Sequence, residues 1–527
     1  MSVTHQHKNH KNFDIILIVL VLLSFLIRTY KLDKIPDGLF VDEIIPIYDP
    51  FLFQMNEKIL SYSSIISYFL QGTYFIYMFM GNSPFFIRLP AAIYGTLMVP
   101  LIYYLCKEMF NTRVGILSAV LISLSPWSII FSRYQVPSMS YTFYFVLALW
   151  LFYKGINVND NRKRYIFYFL GSIVLGLDIN TMASARIFIP VFLLGILAIN
   201  IKRQRLNYLF ENIGQSCAFL ATAYPVILDY VSNFKSDVVT ITNSYSIFNH
   251  SSSFLDILIL IVERIYLHIS IAFIVLDGGL SFSGMSGFNQ YIASEGLLKY
   301  STTLVGMLNY YGILIYPSML LLMYKIIRKS LSINEQVIII WFLSYLLTAG
   351  IAYYDNPNAA RNIVGLPVLI ICISNFIDEM HSKITNKNLK ILYYIFLANL
   401  ILLPSIYFLA DYFNTYSIRS EKAFDYGYKG VSDFIGQNNL WGDKIYLHDE
   451  WGREMTLASY SPLQPKKIIR MAKFDINIFS DTKDAIFITR DPKDLLKFEQ
   501  IGMKFLILKK IYYTDKEIAF LIVQIKN

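Results

Sequence analysis

Residues 81–133 read GNSPFFIRLPAAIYGTLMVPLIYYLCKEMFNTRVGILSAVLISLSPWSIIFSR, and their pattern decides the fold. Two apolar runs, near 85–105 and 114–131, flank a short basic turn holding Lys107 and Arg113. Each run has about the 17–25 residues that a helix needs to cross the hydrocarbon core of a bilayer. The short turn makes them a helical hairpin. The rest of the 527-residue chain agrees: 55% of residues are hydrophobic and only 16% charged, with a mean hydropathy of +0.47. A soluble domain carries about 25% charged residues, so this chain has too little charge to cover a water-facing surface. A disordered chain, a disulfide scaffold and a cytosolic dinucleotide-binding enzyme are excluded. The net charge of +9 reflects Lys and Arg gathering in cytoplasmic loops, and no nucleic-acid partner is expected. Cys106, Cys217 and Cys372 lie in apolar runs and read as small buried hydrophobes.

The run from Phe13 to Ile27 resembles a signal peptide, but no small-x-small cleavage site follows it, so it is read as an uncleaved anchor. Further spans are expected near 85–105, 114–131, 139–155, 165–180, 186–200, 209–230, 303–324, 335–354, 362–378 and 390–410. The expected architecture is thus a polytopic α-helical membrane protein of about eleven transmembrane helices. With residues 1–12 as a cytoplasmic tail, the inner loops collect the basic residues: Lys107 and Arg113, then Lys154 and 162–164, then Lys202, Arg203 and Arg205, and later Lys325, Arg328 and Lys329. Short outer loops hold single arginines, Arg133, Arg186 and Arg361. This asymmetry obeys the positive-inside rule and predicts a multi-pass cell-membrane protein with a cytoplasmic N-terminus.

The transmembrane domain is expected over 13–410, with extracytoplasmic loops 32–84 and 231–302. Residues 59–80 and 254–276 are nearly apolar enough to span. The first is read as a helix in the membrane interface with a Tyr and Ser polar face. The second carries Asp256, Glu263, Arg264 and His268, expensive charges at a bilayer centre, and is also expected at the interface. Residues 411–527 hold no span-length run and predict an extracytoplasmic α/β domain. Strands are expected at 444–447 and 485–488, a helix at 452–460, and a final hairpin turning near Thr514, Asp515 and Lys516.

Few residues suggest chemistry. The first outer loop reads IPDGLFVDE over 35–43. Asp42 and Glu43 are adjacent carboxylates just beyond a membrane helix. Asp42 reads either as a general base taking the proton of an attacking hydroxyl or as a helix N-cap. Arg133, Arg186 and Arg361, with Arg88 at the start of another span, stand in loops otherwise nearly free of basic residues. Their planar forks suit phosphate oxygens; the plainer alternative is snorkelling to the interface. In the loop 231–302, His268 and Asp277 form a possible second acidic or acceptor site, Asp277-Gly278 being also a common turn pair. The segment SFSGMSGFN, 281–289, reads as a mobile lid or a linker.

These features together resemble a family. The acidic pair, the run 81–133, TMASARIFIP at 181–190 and NPNAARNIVGLP at 356–367 are similar to the GT-C polyprenyl-phosphate-sugar glycosyltransferases, in particular the bacterial and archaeal relatives of protein O-mannosyltransferases and aminoarabinose transferases. The likeness covers roughly residues 30–370. It implies an inverting transfer of a sugar from a polyprenyl-phosphate donor to an acceptor hydroxyl on the extracytoplasmic face. It implies Asp42 as general base, Glu43 as the residue that positions substrate or tunes Asp42, and Arg186 and Arg361 at the donor phosphate. Arg88 and Arg133 match motif arginines of either phosphate-binding or structural role. The His-Pro or Pro-Pro segment frequent before the second span of the family reads QGTYFIYMFMGNSP here, at 71–84. The substrates implied are the polyprenyl-phosphate sugar and an acceptor protein, lipid or glycan, in membrane lipid. No cofactor is expected as a requirement, although Asp42, Glu43 and Asp277 are the set that could hold a divalent ion. The competing reading is a polytopic transporter or lipid-glycan flippase, which would place ionisable groups near the bilayer midplane. A third is a scaffold presenting residues 411–527.

Overall fold

The computed structural model describes residues 2–47, 62–81, 83–202, 213–232, 248, 253–279, 299–300, 302–352, 357–442, 444–448, 453–460, 468–471, 473–475, 485–500 and 502–526. The expected lid, 281–289, lies outside the described residues. The chain divides into two compact units. The larger comprises Met1–Tyr30, Ile59–Thr73 and Arg88–Tyr412; the smaller comprises Lys31–Lys58, Tyr74–Ile87 and Phe413–Asn527.

The larger unit is helical. Its elements are α1 (Ser2–Thr29), α2 (Tyr62–Gln71), followed by α3 (Thr73–Met80) at the unit boundary, then α4 (Pro84–Met109), α5 (Thr112–Leu124), α6 (Pro126–Phe131), α7 (Pro137–Asn157), α8 (Asn161–Asp178), α9 (Ala185–Lys202), α10 (Ile213–Ser232), α11 (Phe254–Ile269), α12 (Ile315–Ile327), α13 (Ile333–Ile351), α14 (Gly365–Lys383) and α15 (Lys387–Asn414). Each expected span overlaps a helix among the described residues, the one near 303–324 only from Tyr310 onward. Among the described residues, six helices are long and apolar enough to cross a membrane: 84–109, 137–157, 254–276, 310–327, 333–351 and 387–414. The 114–131 run is divided by Ser125, which caps α6 by accepting from Ser128 N–H, with Pro126 as the first helical residue. Such a Ser-Pro start favours a new helix.

One expectation is corrected. The 59–80 stretch is not one helix, because Gly72 at φ +75° separates α2 from α3, a conformation that glycine adopts without steric penalty. Residues 254–276, expected at the interface, also have the length and apolarity of a span. Arg264 and His268 are buried within the unit, Glu263 is half-buried, and Asp256 is exposed along with Phe254, Leu255, Ile259 and Val262. The loop expected over 231–302 is therefore interrupted by this helix.

The smaller unit is built on a five-stranded sheet, β1 (Ile445–His448), β2 (Ile468–Met471), β3 (Ile486–Thr489), β4 (Lys504–Tyr512) and β5 (Ile518–Lys526), in the order β2-β1-β3-β5-β4. β1 runs parallel to β2 and β3, and β5 runs antiparallel to β3 and β4. β5 reads as a continuous apolar run because both faces of the sheet are covered. Phe520 and Ile522 point to one core with Tyr428, Val431 and Leu457; Leu521, Val523 and Ile525 point to the other with Phe498. Helices Tyr428–Gln437 and Glu454–Ser459 lie on the first face, and Lys493–Gln500 on the second. The expected strands, short helix and terminal hairpin are all present. The C-terminal part of this unit starts at Phe413, in the last turn of α15, which continues to Asn414.

The first loop also departs from expectation. Residues 31–47 and 74–87 belong to the smaller unit. Leu39, Ile44, Ile47 and Ile87 form an apolar cluster with Tyr77, Met455 and Tyr460. Gly38, at φ +92°, lies so near the 424–426 backbone that a Cβ there would stand 2.1 Å from the Phe424 carbonyl oxygen. Gly38→Ala should therefore destabilise this unit by more than about 1 kcal/mol, read as a lowered thermal unfolding midpoint of the purified protein. An unchanged midpoint would refute the close docking of the loop.

Candidate active site

Asp42 and Glu43 sit at the start of a helical segment, 41–47. Phe40 occupies the cap position, so Asp42 is not the N-cap but lies inside the first turn, exposed. Glu43 is fully buried. Its Oε2 accepts the Phe40 N–H at 3.0 Å, while its own N–H donates to the Phe40 carbonyl at 2.9 Å. This is the back-bond by which an N3 glutamate fixes a helix start. The adjoining carboxylates thus differ in environment, one sealed and bonded to backbone, the other open to solvent.

The floor under this loop is ionic. Asp425, 1% exposed at its side chain, lies 2.7 Å from Arg453 Nε and 3.5 Å from Arg490 Nη2. Arg490 also stacks over Phe520, 4.7 Å from the ring centre. Burial, then the Asp37 carboxylate, then Glu421 push the Tyr426 phenol above its ordinary value, which places Asp37 in the electrostatic reach of this segment.

The larger unit holds the arginines. Arg186 donates to Ser63 Oγ at 3.1 Å. Asp229 accepts from Tyr62 N–H at 2.9 Å and Ser63 N–H at 3.0 Å, and from the Ser63 hydroxyl. Arg186 is thus joined to a buried carboxylate through one serine. Helix α2 supplies this serine by folding inside out. Ser63, Ser67 and Gln71, spaced four apart on one face, are buried, whereas Ile65 and Phe69 are 45% and 60% exposed. Ser67 donates to the Thr181 carbonyl at 2.7 Å. Thr181 in turn donates to the fully buried Asp178, at 3.1 Å from its Oδ1.

Arg133 is fully buried, and its two terminal nitrogens donate to the Ile27 and Tyr30 carbonyls at 2.7 Å each. It satisfies carbonyls at the C-terminal end of α1, groups that a helix otherwise leaves unpaired. Arg28 completes the junction, bonding Ser24 Oγ at 2.5 Å and Ser128 Oγ at 2.8 Å. Arg88 is fully buried near the start of α4.

Arg361 lies in a loop held from two directions. Its N–H donates to Asn358 Oδ1 at 2.7 Å. Trp127 of the 81–133 run donates its indole N–H to the Ala359 carbonyl at 2.9 Å, so two of the sequence motifs meet. His268 Nε2 receives the Asn358 N–H at 3.1 Å and the Asn362 side-chain amide at 2.9 Å. Its Nδ1 is 2.8 Å from the Arg264 carbonyl. These partners assign the proton to Nδ1 and use both ring nitrogens, so His268 holds up the Arg361 loop. Asp277 accepts from Gly279 N–H at 2.9 Å, the turn geometry that Asp-Gly favours.

Arg186, Arg133, Arg88, Arg361 and His268 thus belong to the larger unit, and Asp42 and Glu43 to the smaller. Asp178, Asp229 and Arg28 were not singled out by sequence, and a charge within an otherwise apolar span is the signal that marks them. Among the described residues, no group of three or more His, Cys, Asp or Glu side chains could hold a metal ion.

The family model described as dolichyl-phosphate-mannose-protein mannosyltransferase matches residues 65–228. No curated protein matches the chain in sequence. The crystal structure of ArnT from Cupriavidus metallidurans in the apo state is similar to this chain with a TM-score of 0.60 at 10% identity, covering 98% of both chains. The same enzyme bound to undecaprenyl phosphate gives 0.59 at 11% identity, over 97% of both. An oligosaccharyltransferase from Archaeoglobus fulgidus gives 0.51 at 11% identity, over 88% of this chain and 64% of that one. The chain has the GT-C fold.

Replacing His268 by Ala should leave the Asn358 N–H and the Asn362 amide without their acceptor. The expected cost is about 1–3 kcal/mol for each orphaned group, seen as a lower unfolding midpoint; a midpoint equal to that of the parent protein would show that other contacts hold the loop.

Proposed function

We propose that this protein is a membrane glycosyltransferase that moves a sugar from a polyprenyl-phosphate donor to an acceptor hydroxyl. The observation that carries the reading is the pairing of exposed Asp42 with buried, backbone-bonded Glu43 in a chain of GT-C fold. The undecaprenyl phosphate bound by the structurally similar ArnT supports a lipid-phosphate donor.

In this reading the acceptor oxygen attacks the anomeric carbon as the bond to the phosphate oxygen breaks. Asp42 takes the hydroxyl proton, and the polyprenyl phosphate leaves with the bonding electrons. A single displacement inverts the anomeric centre. Glu43 fixes the turn, so that Asp42 needs little rearrangement to act. Arg186 and Arg361 balance charge developing on the departing phosphate, where preorganised donors in a water-poor site act strongly. Arg133 and Arg28 hold the end of α1 in place. Arg133 therefore takes a supporting part, and no role in the transfer itself is assigned to Arg88.

Asp42→Asn should lower transfer about 10²–10⁴-fold, the typical worth of a positioned general base, while donor-lipid binding by the purified protein is retained. Undiminished transfer would remove Asp42 from this role. Arg186→Gln should weaken both donor binding and turnover, by about tenfold or more for a lost charge-assisted contact. Binding and turnover equal to the parent would place the phosphate elsewhere.

A further inference from the structure

The larger unit contains a cavity of about 590 Å³ at the side of α7, α8, α9 and α13. Its volume falls in the range of about 300–1,000 Å³ usual for small-molecule sites. Phe145, Leu149, Phe152, Phe192, Leu193 and Ile196 are among the side chains that line it. Polar groups gather at one end: Glu108, Asn157, Arg164 and Asn334. That end is the C-terminal end of α7 and the N-terminal ends of α8 and α13. Arg133 stands just before α7, and α7 runs 21 residues to Asn157, about 30 Å at 1.5 Å per residue. Arg186 stands at the start of α9, the neighbouring antiparallel turn. The polar mouth is therefore at the opposite end of these helices from Arg133 and Arg186.

The charges at the mouth do not cancel. Glu108 is answered by Lys154 at 2.8 Å and by Asn157 at 2.6 Å. Asn334 accepts from the Tyr153 hydroxyl at 3.1 Å and donates to the Met109 carbonyl. Arg164 has one bond, from Nη2 to the Val158 carbonyl at 3.2 Å, and its buried Nε has no partner. Arg164 is thus a cation without a facing carboxylate among the described residues that line the cavity. Exposed Arg162 and Lys163 precede it on the same turn.

An apolar chamber with a cationic rim at a helix end fits one class of molecule in a membrane, a lipid with a hydrocarbon chain and an anionic head. We infer that this cavity binds an anionic glycerophospholipid, with one acyl chain among the Phe and Leu side chains and its phosphate at Arg164. The apolar walls exclude a polar solute such as a free sugar. The net positive rim discriminates an anionic head from a zwitterionic one of equal chain length. The site is separate from the proposed transfer chemistry and does not depend on it.

Native mass spectrometry of the full chain tests this, using dioleoylphosphatidylglycerol and dioleoylphosphatidylcholine as matched probes. The expected result is preferential retention of one phosphatidylglycerol. Arg164→Gln should lower that retention by about tenfold or more, to the level of phosphatidylcholine. Leu193→Trp, at the half-buried wall, should reduce binding of both probes by filling the chamber, and its folding is checked by thermal unfolding. Equal retention of both probes by the parent protein would overturn the inference, as would phosphatidylglycerol binding unaffected by Arg164→Gln. Displacement of the bound phosphatidylglycerol by one equivalent of undecaprenyl phosphate would also overturn it, assigning the chamber to the isoprenoid chain.

Discussion

Hydrocarbon cannot accept or donate a hydrogen bond, so the polar groups of the membrane unit draw their partners from inside the protein. The arrangement of the larger unit follows from that condition. Arg28 is met by Ser24 and Ser128, Arg133 by carbonyls of α1, and Asp229 by the N–H groups and hydroxyl at the start of α2. Helix α2 turns its serines and Gln71 inward and its Ile and Phe outward, the reverse of a helix on a soluble domain. The interior that results is a fixed array of charges and dipoles in a medium of low dielectric. In such surroundings an arginine interacts more strongly with an incoming anion than it would in water.

The smaller unit imposes a second condition. The segment with Asp42 and Glu43 carries its own apolar residues, Leu39, Ile44 and Ile47, and buries them against Ile87, Met455 and Tyr460. Gly38 permits close approach to Phe424, and Asp425 beside it gathers Arg453 and Arg490. A buried ionic cluster of this kind is weak evidence for added stability, and its better-attested use is to specify one arrangement. The C-terminal part of the smaller unit is therefore part of what sets the conformation of the acidic loop.

Much of the architecture was legible before the structure. The helices at the expected spans, the strands near 444–447 and 485–488, and the hairpin at Thr514–Lys516 follow from apolar run length and local turn residues, which each segment carries by itself. The membership of residues 31–47 in the C-terminal unit was not legible, because it rests on contacts across some 400 residues of chain. The break at Gly72 was not marked either, since glycine occurs within helices as well as between them. For 254–276 the charge count could not show which charges turn inward: Arg264 and His268 are buried against neighbouring elements, and Asp256 is exposed.

The site divides in the same way. The sequence by itself determined that the chain is a membrane protein and picked out Asp42, Glu43 and the arginines of the outer loops, because rare charges in an apolar chain stand out wherever they fall. Only the tertiary structure decided how each is used. It gave Arg133 to the end of α1, His268 to the Arg361 loop and Asp277 to a turn, and it joined Arg186 to Asp229 through Ser63. The physical reason is that the function of a charge depends on which partner it meets, and these partners come from distant parts of the chain that only folding brings within hydrogen-bond distance.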